Sequence, residues 1–207
     1  MQLNHYYWFF ESALSKRFCD DVIQYGKMQQ NVVGRVGEGP PPVNKKELKT
    51  LKKTRDSSVA WLDERWIYRE ITPFVHQANK LANWNFQIDF SEHCQFTRYT
   101  VDQHYSWHCD AQAEPFNKPG FPHEHGKIRK LSVTVSLSDP SDYTGGELEF
   151  NFNSPLASKK QNIRKCIEII PRGSLVVFPS FVYHRVCPVK EGTRYSLVNW
   201  NLGYPYN

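Results

Sequence analysis

The sequence predicts an α+β chain that is mainly β, a jelly-roll or barrel-like double sheet preceded by helices. Three observations carry that expectation. From about residue 86, apolar residues recur with a period of two, in eight or nine short segments cut by turn signals. Before that point, two stretches repeat apolar residues at helical spacing. The composition, 40% hydrophobic and 14% aromatic over 207 residues, suits one domain with a substantial core.

The elements follow in order. NHYYWFF reads as a short aromatic strand. LSKRFCDDVIQYGKMQ places Leu14, Phe18, Val22 and Ile23 on one helical face, with Ser12 or Ser15 as its cap. Residues 34–56 differ. Gly34, Gly37, Gly39 and three prolines (Pro40, Pro41, Pro42) precede a basic run, and seven Lys or Arg face three Asp or Glu for a local charge of +4. Consecutive prolines favour an extended path. A mobile loop leading into a short basic helix is expected, either an inert excursion or a lid over a polar or acidic substrate. DERWIYREITPFVHQANKLANW resumes the helical pattern, and Pro73 within it predicts a kink or a nearby helix start.

The candidate strands are FQIDF, HCQFTRYT, HYSWHCD, RKLSVTVSLS, GELEFNF, KCIEII, SLVVFP, VYHRVCP and RYSLVNWNLG, with turns at SDYTGGE, NFNSP, PRGS and KEGT. The Ala111–Lys127 loop comes directly after HYSWHCD and should overhang the mouth of any site there. Its His123 and His125 could bind a second metal, although solvated surface histidines are the simpler reading.

Composition also excludes. No apolar run is long enough to span a bilayer, and the opening residues lack the pattern of a signal peptide. Five cysteines form no CxxC pair or framework spacing, which predicts reduced thiols in a cytoplasmic protein. The net charge of +5 is concentrated in one segment, and nucleic-acid binding would need more than one such patch.

Four residues suggest chemistry: His108 and Asp110 in WHCD, His184 in FVYHRV and Arg194 in EGTRYS. Residues two apart on a strand point to the same side. A second histidine brought alongside by a later strand would complete a two-histidine, one-carboxylate set, which holds Fe(II) and leaves the opposite face open. Arg194 is expected deeper in the same cavity, among Leu131, Val133, Val135, Leu175, Val177 and Leu197. An unpaired charge there would be costly, so an anionic partner is expected, and a guanidinium fork suits a dicarboxylate co-substrate. Trp107 alternates away from His108 and should pack on a helix, and Arg185 should face outward. Tyr99 and Tyr105 either pack in the core or touch a ligand.

Three stretches carry a resemblance: RYTVDQHYSWHCD, RKLSVTVSLSDPSDYTGGELEF and PRGSLVVFPSFVYHRVCPVKEGTRYSLVNW. In order and spacing they resemble iron- and 2-oxoglutarate-dependent dioxygenases of the prolyl 4-hydroxylase class, close to the PKHD-type hydroxylases, over roughly residues 94–202. FFESALSKRFCDDVI is similar to that family's entry segment, more loosely. The resemblance implies a double-stranded β-helix (jelly roll) with N-terminal helices packed on one sheet. It implies a single dioxygenase domain over 1–207, with a helical support region at 1–92, the mobile loop at 34–56 and the β core at 93–207. His108, Asp110 and His184 take the iron-ligand role and Arg194 the grip on the co-substrate's distal carboxylate, with a hydroxyl added by Tyr99. Tyr105 and Trp200 match aromatic positions near the substrate. Collagen-type enzymes carry lysine where this chain has Arg194, which points to bacterial-type relatives.

The resemblance thus implies an Fe(II) enzyme that uses 2-oxoglutarate and O2, with ascorbate as an auxiliary reductant. Its expected substrate is a peptidyl proline or another protein side chain; the alternative is a small metabolite or free amino acid. A nucleic-acid demethylase would carry a second arginine six residues after the first, where this chain has Trp200. A catalytically silent binding module would not need all four key residues.

Overall fold

The computed structural model describes residues 3–36, 41–152 and 163–206. The helices are α1 (Lys16–Met28), α2 (Lys45–Thr54) and α3 (Arg65–Leu81). The strands of the first half are β1 (Trp8–Phe10), β2 (Val32–Val33), β3 (Arg55–Asp56), β4 (Ser58–Leu62) and β5 (Phe90–Ser91). Then come β6 (Cys94–Tyr99), β7 (His104–His108), β8 (Ile128–Ser136), β9 (Tyr143–Gly145), β10 (Leu148–Asn151), β11 (Ile163–Lys165), β12 (Leu175–Pro179), β13 (Tyr183–Val186), β14 (Val189–Gly192) and β15 (Arg194–Gly203).

Two antiparallel sheets make the double layer. The major sheet runs β1-β12-β8-β15-β6-β4-β2, with β5 beside β15, and the minor sheet runs β11-β10-β13-β7-β3. β14 and β9 form a separate pair. This is the double-stranded β-helix, with α1 and α3 packed on the major sheet.

Alternation decides which side chains go where. In RKLSVTVSLS, Leu131, Val133, Val135 and Leu137 join Leu175, Val177 and Leu197 in the core beneath the helices. Phe18 and Val22 of α1 and Ile67, Ile71, Val75 and Ala78 of α3 complete that core. The polar partners Ser132, Thr134 and Ser136 therefore point to the other face, between the sheets. This corrects one expectation: Leu131, Val133, Val135, Leu175, Val177 and Leu197 pack against helices and do not surround Arg194.

Ser15 caps α1 by accepting from the Phe18 N–H. α3 starts at Arg65 and runs through Pro73 without a break. Pro73 lies on the exposed face, so the Arg69 carbonyl left unbonded can turn to water. The basic segment holds more regular structure than a loop. Asn44 caps α2 by accepting from the Glu47 N–H, and no α2 residue is buried. Residues 37–40, including Gly37, Gly39 and Pro40, lie outside the described residues.

Two strands expected from alternation fail. FQIDF is irregular up to Asp89, because Asn79 of α3 holds Phe86 through a pair of side-chain hydrogen bonds to its N–H (2.9 Å) and carbonyl (2.8 Å). KCIEII is a 3-10 turn over Ile167–Ile169, with Lys165 ending β11. In the other direction, β3 and β4 arise from TRDSSVAWL, whose basic flank obscures a buried strand.

Gly26 of α1 rests on the fully buried ring of Phe96, and a Cβ there would sit 2.5 Å from two ring carbons. Alanine normally favours a helix over glycine by about 1 kcal/mol. Here overpacking, which costs roughly 1–3 kcal/mol, should win. Gly26→Ala is expected to lower the urea midpoint at unchanged slope; an unchanged or raised midpoint would mean that Phe96 yields easily.

Candidate metal and co-substrate site

The site lies between the two sheets. β13 and β7 pair with His184 opposite His108. Asp110 lies just beyond the end of β7, so alternation along the strand does not place it. Its backbone N–H and that of Ala111 both donate to the Ser180 carbonyl at 2.9 Å, which turns the chain back toward the histidines. Asp110 Oδ1 lies 3.6 Å from His108 Nε2, and Oδ2 lies 3.6 Å from His184 Nε2. The three ligand atoms are within 4.8 Å of one another. These separations are too long for hydrogen bonds yet short enough for one ion to touch all three.

The donor set fits a divalent metal. His108 Nδ1 donates to the Ser106 carbonyl at 2.8 Å and His184 Nδ1 to the Val182 carbonyl at 3.0 Å, leaving both Nε2 lone pairs facing inward. Burial first, and His184 second, push the His108 imidazole below its usual range, toward the neutral ligand form. Burial alone would raise the Asp110 carboxyl, but His184 and His108, helped by Arg129 and the Trp200 indole, hold it low and ionised. A neutral imidazole and an ionised carboxylate are the forms that bind a cation. Ser132 Oγ donates to Asp110 Oδ2 at 2.7 Å, and Ser180 Oγ lies 2.9 Å from Ser132 Oγ. Aromatic rings fix the histidines from outside. Tyr105 stacks on His108 with centroids 3.5 Å apart, and Phe178 meets His184 edge-on at 4.7 Å.

A cavity of about 280 Å³ opens from these residues and is lined also by Tyr99, Tyr105, Arg194 and Trp200. Arg194 starts β15 opposite Tyr99 on β6, and its guanidinium lies 5.7 Å from the Tyr99 ring centre. It is 3% exposed, and no carboxylate among the described residues pairs with it. Its one described hydrogen bond goes to Ser196 Oγ at 3.3 Å. Gly146 (φ +64°) lets its stem pass, since a Cβ there would lie 2.9 Å from Arg194 Cδ. Burial raises the Tyr99 phenol pKa, so its hydroxyl stays a donor.

Other expectations were redirected. Trp107 packs on Arg185, with the guanidinium 4.7 Å from its ring centre. Arg185 itself faces out and pairs with Glu149. Of the long loop, Ala111 and Gln112 line the cavity. His123 stacks on Phe90, and His125 accepts from the Lys118 N–H. Among the described residues, His108, Asp110 and His184 form the one cluster suited to a metal. Sequence reasoning missed Ser132, Ser180, Arg55 and Gln112. Ser132 was signalled by the Leu-Ser-Val-Thr alternation; the others had no local sign.

Fold and site together define a 2-oxoglutarate oxygenase architecture. Residues 94–201 match the model of the 2OG-Fe(II) oxygenase superfamily, and the chain belongs to that superfamily. It is similar to a PKHD-type hydroxylase of Synechococcus sp., 38% identical over 108 residues, which are 52% of this chain and 40% of that protein. A PKHD-type hydroxylase of Pseudoalteromonas atlantica is 34% identical over 107 residues, 51% of this chain and 41% of that one. The match thus spans about two fifths of the length of these relatives. Among solved structures, the viral collagen prolyl hydroxylase of Paramecium Bursaria Chlorella virus-1 aligns with TM-score 0.64 at 19% identity, over 97% of each chain. A Trichoplax adhaerens prolyl hydroxylase, solved with a hypoxia inducible factor peptide fragment, aligns with TM-score 0.65 at 18% identity, over 96% of this chain and 84% of that one. At such identity these neighbours speak for the fold. The superfamily implies Fe(II), 2-oxoglutarate and O2. No helix among the described residues is long and apolar enough to cross a membrane, and all five cysteines are free thiols.

Removing the hydroxyl that orients Asp110 should loosen the metal and spare the fold. Ser132→Ala is expected to weaken divalent-metal binding, read by titration calorimetry with Co(II), by about tenfold or more. Unchanged affinity would show that Asp110 needs no such partner.

Proposed function

We propose that this chain is an Fe(II)- and 2-oxoglutarate-dependent dioxygenase that hydroxylates an unactivated C–H bond, with a peptidyl proline as its substrate. The observation that carries the reading is the convergence of His108, Asp110 and His184 in one cavity with a buried arginine that has no acid partner among the described residues. His108 Nε2, Asp110 and His184 Nε2 would hold the iron. Arg194 and the Tyr99 hydroxyl would take the distal carboxylate of 2-oxoglutarate, a bidentate match for the guanidinium. Once bound, the iron with O2 and 2-oxoglutarate supplies the hydroxylating chemistry and releases succinate and CO2. The protein's own contribution is positioning and dryness. Tyr105 and Phe178 lock the ligand rings, and Trp200 lines the wall where substrate would approach.

The shape of the cavity supports a peptide over a free metabolite. Arg35 and Val36 line both this cavity and an outer groove along α2, so a chain longer than one residue could extend outward. The PKHD-type relatives and the prolyl hydroxylase fold neighbours agree with that choice.

Incubation with Fe(II) and labelled 2-oxoglutarate, with and without a proline-containing peptide library, tests the reading. Succinate should accumulate faster with peptide; stimulation by free amino acids alone would favour a metabolite substrate. His184→Ala should lose Fe(II) binding. Arg194→Ala should keep iron while 2-oxoglutarate binding weakens by roughly 2–5 kcal/mol, the cost of removing one partner of a buried charge pair. Unchanged 2-oxoglutarate dependence in that variant would move the co-substrate elsewhere.

A further inference from the structure

Arg55 is a second buried arginine in the cavity, 5% exposed, and the proposed chemistry does not use it. It begins β3, opposite Tyr105 on β7. Its guanidinium is held in place on three sides. Nε donates to Ser57 Oγ at 3.0 Å, Nη1 donates to the Arg35 carbonyl at 2.7 Å, and the guanidinium carbon lies 4.5 Å from the Tyr105 ring centre. The third nitrogen, Nη2, is buried with no hydrogen-bond partner among the described residues. A buried donor left unmade is costly, and a buried cation without an anion more so.

Among the described residues, a second of the four buried unpartnered side-chain atoms, Gln112 Oε1, lines the same cavity. Such atoms are rare in folded proteins, so their gathering in one cavity marks a place for a ligand. The charges agree. Asp110 is the only carboxylate lining the cavity among the described residues. With a divalent ion bound, Asp110, the two carboxylates of 2-oxoglutarate and Arg194 bring the local sum to zero. Arg129 is paired with Glu92. Arg35 also lines the cavity, and among the described residues no carboxylate pairs with Arg55. Outside, α2 (KKELKTLKKT) adds five lysines against one glutamate beside β3 and β7.

We propose that Arg55 is a specificity-determining residue that binds a carboxylate of the substrate, so the substrate class is acidic: a peptide with an acidic residue beside the hydroxylated one, or a small carboxylic acid. Gln112 Oε1 would accept an N–H of the same molecule. The lysines of α2 would draw such an anion to the mouth, an effect that salt should weaken. The inference rests on the dioxygenase reading above and narrows its substrate.

The test uses the whole protein loaded anaerobically with Fe(II) and 2-oxoglutarate, both bindings being measured first. Trp61 and Trp200 line the cavity, so tryptophan fluorescence reports its occupancy. The probes are two matched pairs: N-acetylproline with N-acetylprolinamide, and a capped peptide bearing glutamate beside proline with its glutamine twin. In at least one pair the acid should bind about tenfold tighter than the amide, as a charge-assisted hydrogen bond would give. The pair that responds identifies the source, small acid or peptide. Arg55→Gln should reduce the preference to under about threefold while Fe(II) and 2-oxoglutarate still bind. Arg55→Lys, which keeps the charge and loses the fork, should retain part of it and covers the case in which Arg55→Gln fails to fold. Equal binding of acid and amide in both pairs, no binding by any probe, or a preference that survives Arg55→Gln would overturn the inference. If Arg55→Gln loses Fe(II) while its acid preference persists, Arg55 instead braces Tyr105 on His108. Failure of Fe(II) or 2-oxoglutarate to bind the wild type would overturn the underlying reading as well.

Discussion

The arrangement depends on keeping one carboxylate ionised between two sheets. Asp110 is 8% exposed at its side chain, and burial alone would drive it toward the neutral acid. The fold opposes this with two imidazoles, the Ser132 hydroxyl and the approach of the Trp200 indole. Each of those groups comes from a different segment of the chain: β7, β13, β8 and β15. Bringing all of them to one carboxylate requires the two sheets to be in register, and so the major sheet, the minor sheet and the Ser180 turn are tied to the same point.

That requirement explains a feature that looks wasteful in sequence. β8 alternates aliphatic residues with Ser132, Thr134 and Ser136, all three of them buried. Serine and threonine in the middle of a nine-residue strand would normally mark a solvent face. Here both faces are covered, one by helices and the other by the opposite sheet. Ser132 donates to Asp110 and Thr134 lines the cavity. The same parity along β15 puts Arg194, Ser196, Val198 and Trp200 on the cavity side and Leu197 in the helix-packed core.

Most of the β half was legible because its strands alternate strongly and its turns carry glycine or proline. The clustering of the candidate site residues was legible by type and order: the spacing of His108 and Asp110, then His184, then Arg194 is itself the signal. The misses have identifiable reasons. FQIDF alternates, yet the Asn79 side chain takes the backbone groups of Phe86 that a neighbouring strand would have used. Arg194 was placed in the right cavity with the wrong neighbours, because period two shows that a strand has two faces and not which one meets the helices. β3 and β4 were hidden behind six basic residues, and Arg55 read as one more solvated charge in that run. Burial of a single arginine at the end of a lysine-rich helix depends on the Arg35 carbonyl and the Tyr105 ring, both distant in sequence, as well as on nearby Ser57.

Arg55 also joins the two halves of the chain. The helical half is more than a support for the sheet. Through β3 it adds an edge strand to the minor sheet, next to the strand that carries His108. Arg55, Tyr105, His108 and His184 form a continuous series of ring and guanidinium contacts, at 4.5, 3.5 and 4.2 Å. A group bound at one end of that series is therefore set at a fixed remove from the ligand atoms at the other, because packed rings leave little freedom to adjust. The β-helix core supplies the cluster of His108, Asp110 and His184 that could hold a metal. The edge strand β3 adds to the cavity a buried, under-satisfied group, Arg55.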